Sequence, residues 1–325
     1  MTDSPKLRVV YFGSPEFAAP PLRALLASEA FDVPLVVTQA PKGVSPVERV
    51  AREHGLTVYK PDSLRSAASR QPLVEAGADL FVVAAFGLIF RQRTLDIPRL
   101  GALNIHPSPL PQYRGASPIM AAVLQGDRET GVCLMEMDAG IDTGAVVSFE
   151  PVVVADDDTT ETLGLRLAEV AAAQLMRDAP RWVSGELRAQ PQSGPATLTR
   201  TLTKGDGQID WSRPASEIER HVRAMWPWPR AWTEVDGAPL QIHRAHVVTD
   251  AIVDQQPGAT LLERKRLVAA TGDGALELEI VEPAGRRAMA AAAYLNGRRT
   301  PIGRFSSGES LHRPPLITPV VPAGD

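Results

Sequence analysis

The sequence predicts an α/β protein: a doubly wound, mostly parallel sheet followed by a smaller β-barrel domain. Two observations carry this. The first 190 residues hold four continuous apolar runs separated by helix-like segments, and the texture then changes to short alternating runs around Asp-Gly turns. A strand with no polar face has both faces covered, which is the condition of a parallel sheet with helices on each side. An Asp-Gly between alternating runs marks a hairpin.

Residues 7–12 read as the first strand, broken by Gly13-Ser14-Pro15. Pro15 suits a helix start, and Phe17, Leu22, Leu25 and Leu26 give that helix an apolar face. A second strand is expected over 33–38, a helix over 47–54 stopped by Gly55, a third strand over 79–86 and a fourth over 100–105. The apolar run Gly131 to Met135 reads as a buried strand enclosing Cys133, and residues 160–183 as a long helix with an Ala-rich middle. Residues 190–205 are rich in Pro, Gly, Ser and Thr and read as a linker. Strands follow at 232–235, 240–243, 267–270 and 275–280. The domains are therefore expected at 1–189 and 206–300, with 301–325 a loose, Pro- and Ser-rich tail.

Composition limits the function. Of 325 residues, 44% are hydrophobic and 22% charged, the pattern of a soluble globular protein. A net charge of −4 argues against a globally basic nucleic-acid binder but leaves room for a local basic face. The single cysteine rules out an internal disulfide and a Cys-based metal site, and His221, His243 and His246 have no carboxylate partner at metal spacing and are given no role. No metal is expected. The opening residues carry an acid and a proline and do not read as a secretion signal, and no run of 18 apolar residues occurs; a cytoplasmic, monomeric protein without a membrane segment is expected. Neither a G-x-G-x-x-G turn nor a Walker A lysine is present, so the phosphate cradle of a nucleotide-binding sheet is missing.

Chemistry gathers at Asn104-Ile105-His106 and, further on, at Asp142 in Ala139-Gly140-Ile141-Asp142-Thr143-Gly144. Residues two apart on a strand point the same way, so Asn104 and His106 face one spot at the carboxyl end, where Pro107 stops the strand. An amide donor, an imidazole and a carboxylate, with no Ser or Cys nucleophile, suit direct acyl transfer to an amine.

Three stretches together resemble the methionyl-tRNA formyltransferases, within the folate-dependent formyltransferase superfamily. They are Phe12-Gly13-Ser14-Pro15-Glu16-Phe17-Ala18, the run from Asn104 through Pro118-Ile119 to Gly144, and a C-terminal set including Ile209-Asp210-Trp211, Pro227-Trp228-Pro229 and Ala270-Thr271-Gly272-Asp273-Gly274. The resemblance implies a Rossmann-like formyltransferase domain and an OB-like barrel that binds tRNA. It implies that the formyl group of 10-formyltetrahydrofolate passes to the amino group of methionine on initiator tRNA. Sugar-nucleotide formyltransferases share the middle stretch and are the alternative. Asn104, His106 and Asp142 take the catalytic roles by this resemblance: Asn104 and His106 on the developing oxyanion, Asp142 on the proton.

Ser108-Pro109-Leu110-Pro111 resembles the family's folate-binding turn, with Pro109 where members often carry Leu, and Phe86-Gly87-Leu88-Ile89 the stretch that packs on the pterin. Family members usually have a longer basic loop after the second strand; here residues 38–46 are several residues short and keep one cation, Lys42. With Lys42, the cations Arg114, Arg220, Arg223, Arg286 and Arg287 are the candidates for tRNA phosphates. Trp226-Pro227-Trp228-Pro229 reads as a packed hinge between domains rather than a base-stacking surface.

Overall fold

Successive side chains of a strand turn to opposite faces, and along the first strand both faces are sealed. Val9 and Tyr11 join one apolar cluster, Val10 and Phe12 another. This computed structural model describes residues 6–39, 43–249, 255–263, 266–298, 302–306 and 314–320. The first half runs β1 (Leu7–Gly13), α1 (Ala19–Ala27), β2 (Phe31–Val37), α2 (Pro46–Glu53), β3 (Val58–Tyr59), α3 (Ala67–Glu75), β4 (Leu80–Ala84), α4 (Gln92–Leu95) and β5 (Ala102–His106). It continues with β6 (Arg114–Gly115), α5 (Pro118–Gln125), β7 (Glu129–Glu136), β8 (Val146–Val153), α6 (Thr160–Val183) and β9 (Thr197–Thr199).

Seven of these strands form one sheet in the order β3-β2-β1-β4-β5-β7-β8. β1 to β5 pair in parallel, whereas β7 runs antiparallel to β5 and β8 antiparallel to β7. The mostly parallel sheet is as expected. Helix ends follow local chemistry: Ser45 caps α2 by accepting from Glu48 N at 3.0 Å, and Thr159 with Thr162 closes a reciprocal cap on α6. Cys133 lies in β7, 1% exposed, where burial pushes its thiol up to about 11.

The second half runs α7 (Ala215–Ala224), β10 (Ala231–Val235), β11 (Ala238–Val248), β12 (Thr260–Glu263), β13 (Arg266–Ala270), β14 (Ala275–Pro283), β15 (Met289–Ala290), α8 (Ala291–Asn296) and β16 (Ile317–Pro319). Its antiparallel strands, ordered β10-β11-β14-β13-β12, make the expected barrel a half-barrel. The main apolar cluster extends from the first sheet into this domain through Trp211, Ile218, Val222 and Leu240, so the two halves share one core. Among the described residues no helix is long and apolar enough to cross a membrane.

Two expectations need correction. The segment 190–205 is more than a linker: β9 pairs in parallel with β6 and antiparallel with β16, forming a separate three-stranded sheet. Thr197-Leu198-Thr199 alternates and is β-branched, a short strand signal hidden by the surrounding Pro and Gly. The tail is not loose where it is described. Ile302 and Phe305 are buried, Phe305 stacks on Trp211 at 5.0 Å, and β16 sits in a sheet.

Candidate active site

β5 ends the run that places Asn104 and His106, and both side chains are buried, 8% and 4% exposed. Asp142 comes to them from the loop after β7. Its Oδ1 accepts from Asn104 Nδ2 at 3.2 Å and its Oδ2 from Gly115 N at 2.8 Å, and Oδ2 stands 3.6 Å from His106 Nδ1. A carboxylate drawn out of water needs such donors. On the other side of the ring, His106 Nε2 is 3.1 Å from the carbonyl oxygen of Tyr113. A carbonyl only accepts, so Nε2 carries a hydrogen and Nδ1 is the nitrogen free to exchange a proton. One N–H of Asn104 lies on Asp142, which leaves the second for a ligand.

The loop that carries Asp142 is braced by polar contacts. Asp138 accepts from Gly140 N at 3.0 Å and from the Thr143 hydroxyl at 2.7 Å. Gln192 Nε2 donates to Asp142 O and Gly144 O, both at 2.8 Å, while its Oε1 accepts from Arg114 Nη2 at 2.7 Å. Gly144 is required sterically, since a Cβ there would lie 1.9 Å from Glu136 O. Asp142 itself has φ 51, a left-handed conformation that Asp tolerates better than most residues.

The three side chains open on a cavity of about 1000 Å³. One wall is apolar: Phe86, Gly87, Leu88, Ile89 and Phe90 with Met135 and Met137. Phe86 and Phe90 pack edge-on against Phe12 at 5.4 and 5.0 Å, which ties that wall to the first strand. The lining also includes Pro15, Phe17, Gly115 to Met120, Leu198 to Leu202 and Trp228.

The structure therefore brings together Asn104, His106, Asp142 and residues 86–89. Ser108, Pro109, Leu110 and Pro111 follow directly on Pro107, which lines the cavity. Ser108 is fully buried, its hydroxyl donating to Gln112 O at 2.6 Å, and Leu110–Pro111 is a cis bond. This stretch shapes the turn that carries Tyr113.

The candidate cations divide. Arg223 donates to Asp158 O at 2.8 Å, and burial pushes its guanidinium down. Arg220 donates to Leu124 O at 3.2 Å and lies against Gly126. Both join α7 to the first domain, and Arg114 is held by Gln192, so each of the three already has a protein acceptor. Arg286 and Arg287 are exposed in the turn between β14 and β15. Lys42 lies outside the described residues.

The tryptophan pair divides too. Trp226 is anchored by Glu161 at 2.9 Å and by the Arg230 guanidinium 5.2 Å from its ring, as a hinge requires. Trp228 is 54% exposed and lines the cavity. Sequence reading missed Gln192, Thr199 and Arg200, all in the supposed linker; the only signal for them is the Thr-x-Thr alternation. It also missed that His243 and His246 meet carboxylates across strands, Glu282 at 3.1 Å and Glu277 at 3.5 Å, because spacing along the chain does not reveal cross-strand partners.

With this geometry in place, comparisons with known proteins give the family. Residues 7–179 match the family described as formyl transferase, and residues 201–299 match the formyl transferase C-terminal domain. A methionyl-tRNA formyltransferase of Neisseria meningitidis serogroup C (strain 053442) is 43% identical over 313 residues, covering 91% of this chain and 99% of that protein. One from Roseiflexus castenholzii (strain DSM 13941 / HLO8) is 42% identical over 311 residues, covering 93% and 99%. The chain belongs to the methionyl-tRNA formyltransferase family. A crystal structure of an N-formyltransferase from Helicobacter canadensis, in complex with folinic acid and dTDP-3-aminofucose, superposes with a TM-score of 0.64 at 16% identity, covering 84% of this chain and 98% of that one. That is a likeness of fold. Membership of a family that transfers formyl groups agrees with a site built for acyl transfer without a covalent nucleophile.

Proposed function

We propose that the chain transfers the formyl group of 10-formyltetrahydrofolate to the amino group of methionine on initiator tRNA. The observation that carries this reading is the Asn104–Asp142–His106 cluster opening on a cavity with an apolar wall. The wall at Phe86 to Phe90 suits the flat pterin, and the side formed by Phe17, Gly115 to Met120 and Trp228 is left for the aminoacyl end. A volume of about 1000 Å³ is at the large end for a single small ligand and accommodates parts of two.

The neutral amine attacks the formyl carbon, forming the new C–N bond and moving the carbonyl pair onto oxygen. The free N–H of Asn104 meets that oxygen, and His106 donates a second hydrogen bond from Nδ1 when that nitrogen is protonated. Asp142 takes the proton leaving the amine. His106 Nδ1, 3.6 Å away, relays a proton to the folate nitrogen as its bond to the formyl carbon breaks. The carbonyl re-forms and the charges close without a metal.

On the acceptor side, Arg286 and Arg287 offer exposed charge to phosphates, and the exposed face of Trp228 offers a stacking surface at the cavity mouth. The short loop after β2 supplies little charge, which favours weaker discrimination between initiator and elongator tRNA. The test is formyl transfer from 10-formyltetrahydrofolate to methionyl initiator tRNA, methionyl elongator tRNA and a dTDP-amino sugar. Transfer to tRNA with none to the sugar is expected; the reverse overturns the acceptor assignment. A large preference for the initiator would overturn the weakened discrimination.

A further inference from the structure

We infer that the C-terminal strand β16, which lies beyond both family-matched regions, is a positioning element for His106 and Asp142. This rests on the catalytic roles proposed above for those two residues.

β6 is only two residues long, yet each catalytic partner depends on it or its neighbour. Gly115 N donates to Asp142, and Tyr113 O accepts from His106. A strand so short has no rigidity of its own. β9 supplies it. Tyr113 N donates to Thr197 Oγ1 at 2.8 Å, the Thr199 hydroxyl donates to Arg114 O at 2.9 Å, and Ser117 N donates to Thr199 Oγ1 at 3.0 Å. Gly115, at φ 96, lets the two backbones meet, since a Cβ there would fall 2.3 Å from Thr199 O.

β9 is itself three residues long, and β16 covers its other edge. Arg200 N donates to Leu316 O at 3.2 Å and Val320 N to Ala196 O at 2.8 Å, bracketing the pairing of Ile317 with Thr199 and Pro319 with Thr197. The Arg200 guanidinium donates to Pro314 O at 2.9 Å while paired with Asp206 at 2.7 Å. Ile317 also packs on the small cluster of Tyr113, Ala121 and Ala122, so β16 reaches the residue whose carbonyl holds His106. Without β16, β9 becomes an open edge and Tyr113 loses an apolar support.

The test compares the full chain with a chain ending at Ser306 and with Val320→Pro and Ile317→Ala, in formyl transfer to methionyl-tRNA alongside thermal melting. Misplacement of reacting groups by a fraction of an ångström lowers turnover more than binding, so kcat is expected to fall about 10-fold with KM for the formyl donor within about 2-fold. Adding a peptide of residues 313–325 to the shortened chain is expected to restore at least half of the lost kcat, and a scrambled peptide to restore none. Unchanged kcat in the shortened chain overturns the proposal. So does a loss that follows the melting midpoint and resists the peptide. Asp142→Asn is the control on the underlying reading: full turnover there overturns the catalytic assignment and this inference with it, whereas an inactive control beside fully active strand variants overturns this inference alone.

Discussion

The two sides of the catalytic cluster are held by different means. Asn104 and His106 stand on a central strand, with β4 on one side and β7 on the other, and the pleat alone aims them. Asp142 stands on a loop, in a left-handed conformation, and reaches the same point because Gly115, Gln192 and Asp138 hold it or its loop. The facing of a side chain on a sheet is set by alternation along its own strand. A position on a loop is set by residues 27 and 50 places away. Asn104 is therefore the member most robust to distant change, His106 feels such change through Tyr113 O, and the carboxylate is the most sensitive.

The severest break in this contrast is removal of the groups themselves. Asn104→Ala, His106→Ala and Asp142→Ala are each expected to lower kcat by about 10² to 10³, since loss of one oxyanion donor costs roughly 3–4 kcal/mol. Near-normal turnover in steady-state assays of any one would remove it from the mechanism. Gln192→Leu sharpens the contrast: it touches neither donor but leaves the Asp142 and Gly144 carbonyls without their amide partner. A kcat about 10-fold lower with the folate KM unchanged is expected. If folate KM rises while kcat holds, Gln192 shapes the pocket instead of the carboxylate.

Smaller effects are expected away from the cluster. The double change Arg286→Ala and Arg287→Ala should raise KM for tRNA several-fold and make the slope of log affinity against log salt shallower by about one to two, read from binding at three salt concentrations. An unchanged slope would take both residues off the RNA. The smallest effect concerns the linker ion pair. Burial alone would raise the Asp206 carboxyl, but Arg200 and the Thr203 N–H and hydroxyl override it and hold it down to about 2. A depressed carboxyl stabilises the fold fully above its unfolded pKa. That contribution should fade as pH falls from about 4 towards 2, and denaturant melts should show Asp206→Asn abolishing this part of the pH dependence.

The same contrast explains what could be read in advance. Residues 80–86 are apolar throughout and 100–105 are broken by one polar residue, Asn104, so the sheet follows from the apolar runs and the facing of Asn104 and His106 from alternation. α3 escaped because Leu73 is its one buried residue, so it shows no apolar stripe. α7 escaped because Ile218 and Val222 are bulky apolar residues among charges. The turn at 108–111 was assigned to folate by motif, which names a stretch of chain and not the direction each of its side chains takes. β9 and β16 are three residues each, too short for periodicity, and their pairing joins positions about 120 apart.

The lone thiol has a practical consequence. Cys133 is sealed inside β7 and holds its proton at neutral pH, so maleimide and methanethiosulfonate reagents find nothing to modify in the native protein. Val74→Cys, at an exposed position on α3, would be uniquely reactive with Cys133 left in place. A second at Trp228 would complete a pair of spectroscopic labels, and the distance between them would report whether the two halves move when a substrate enters.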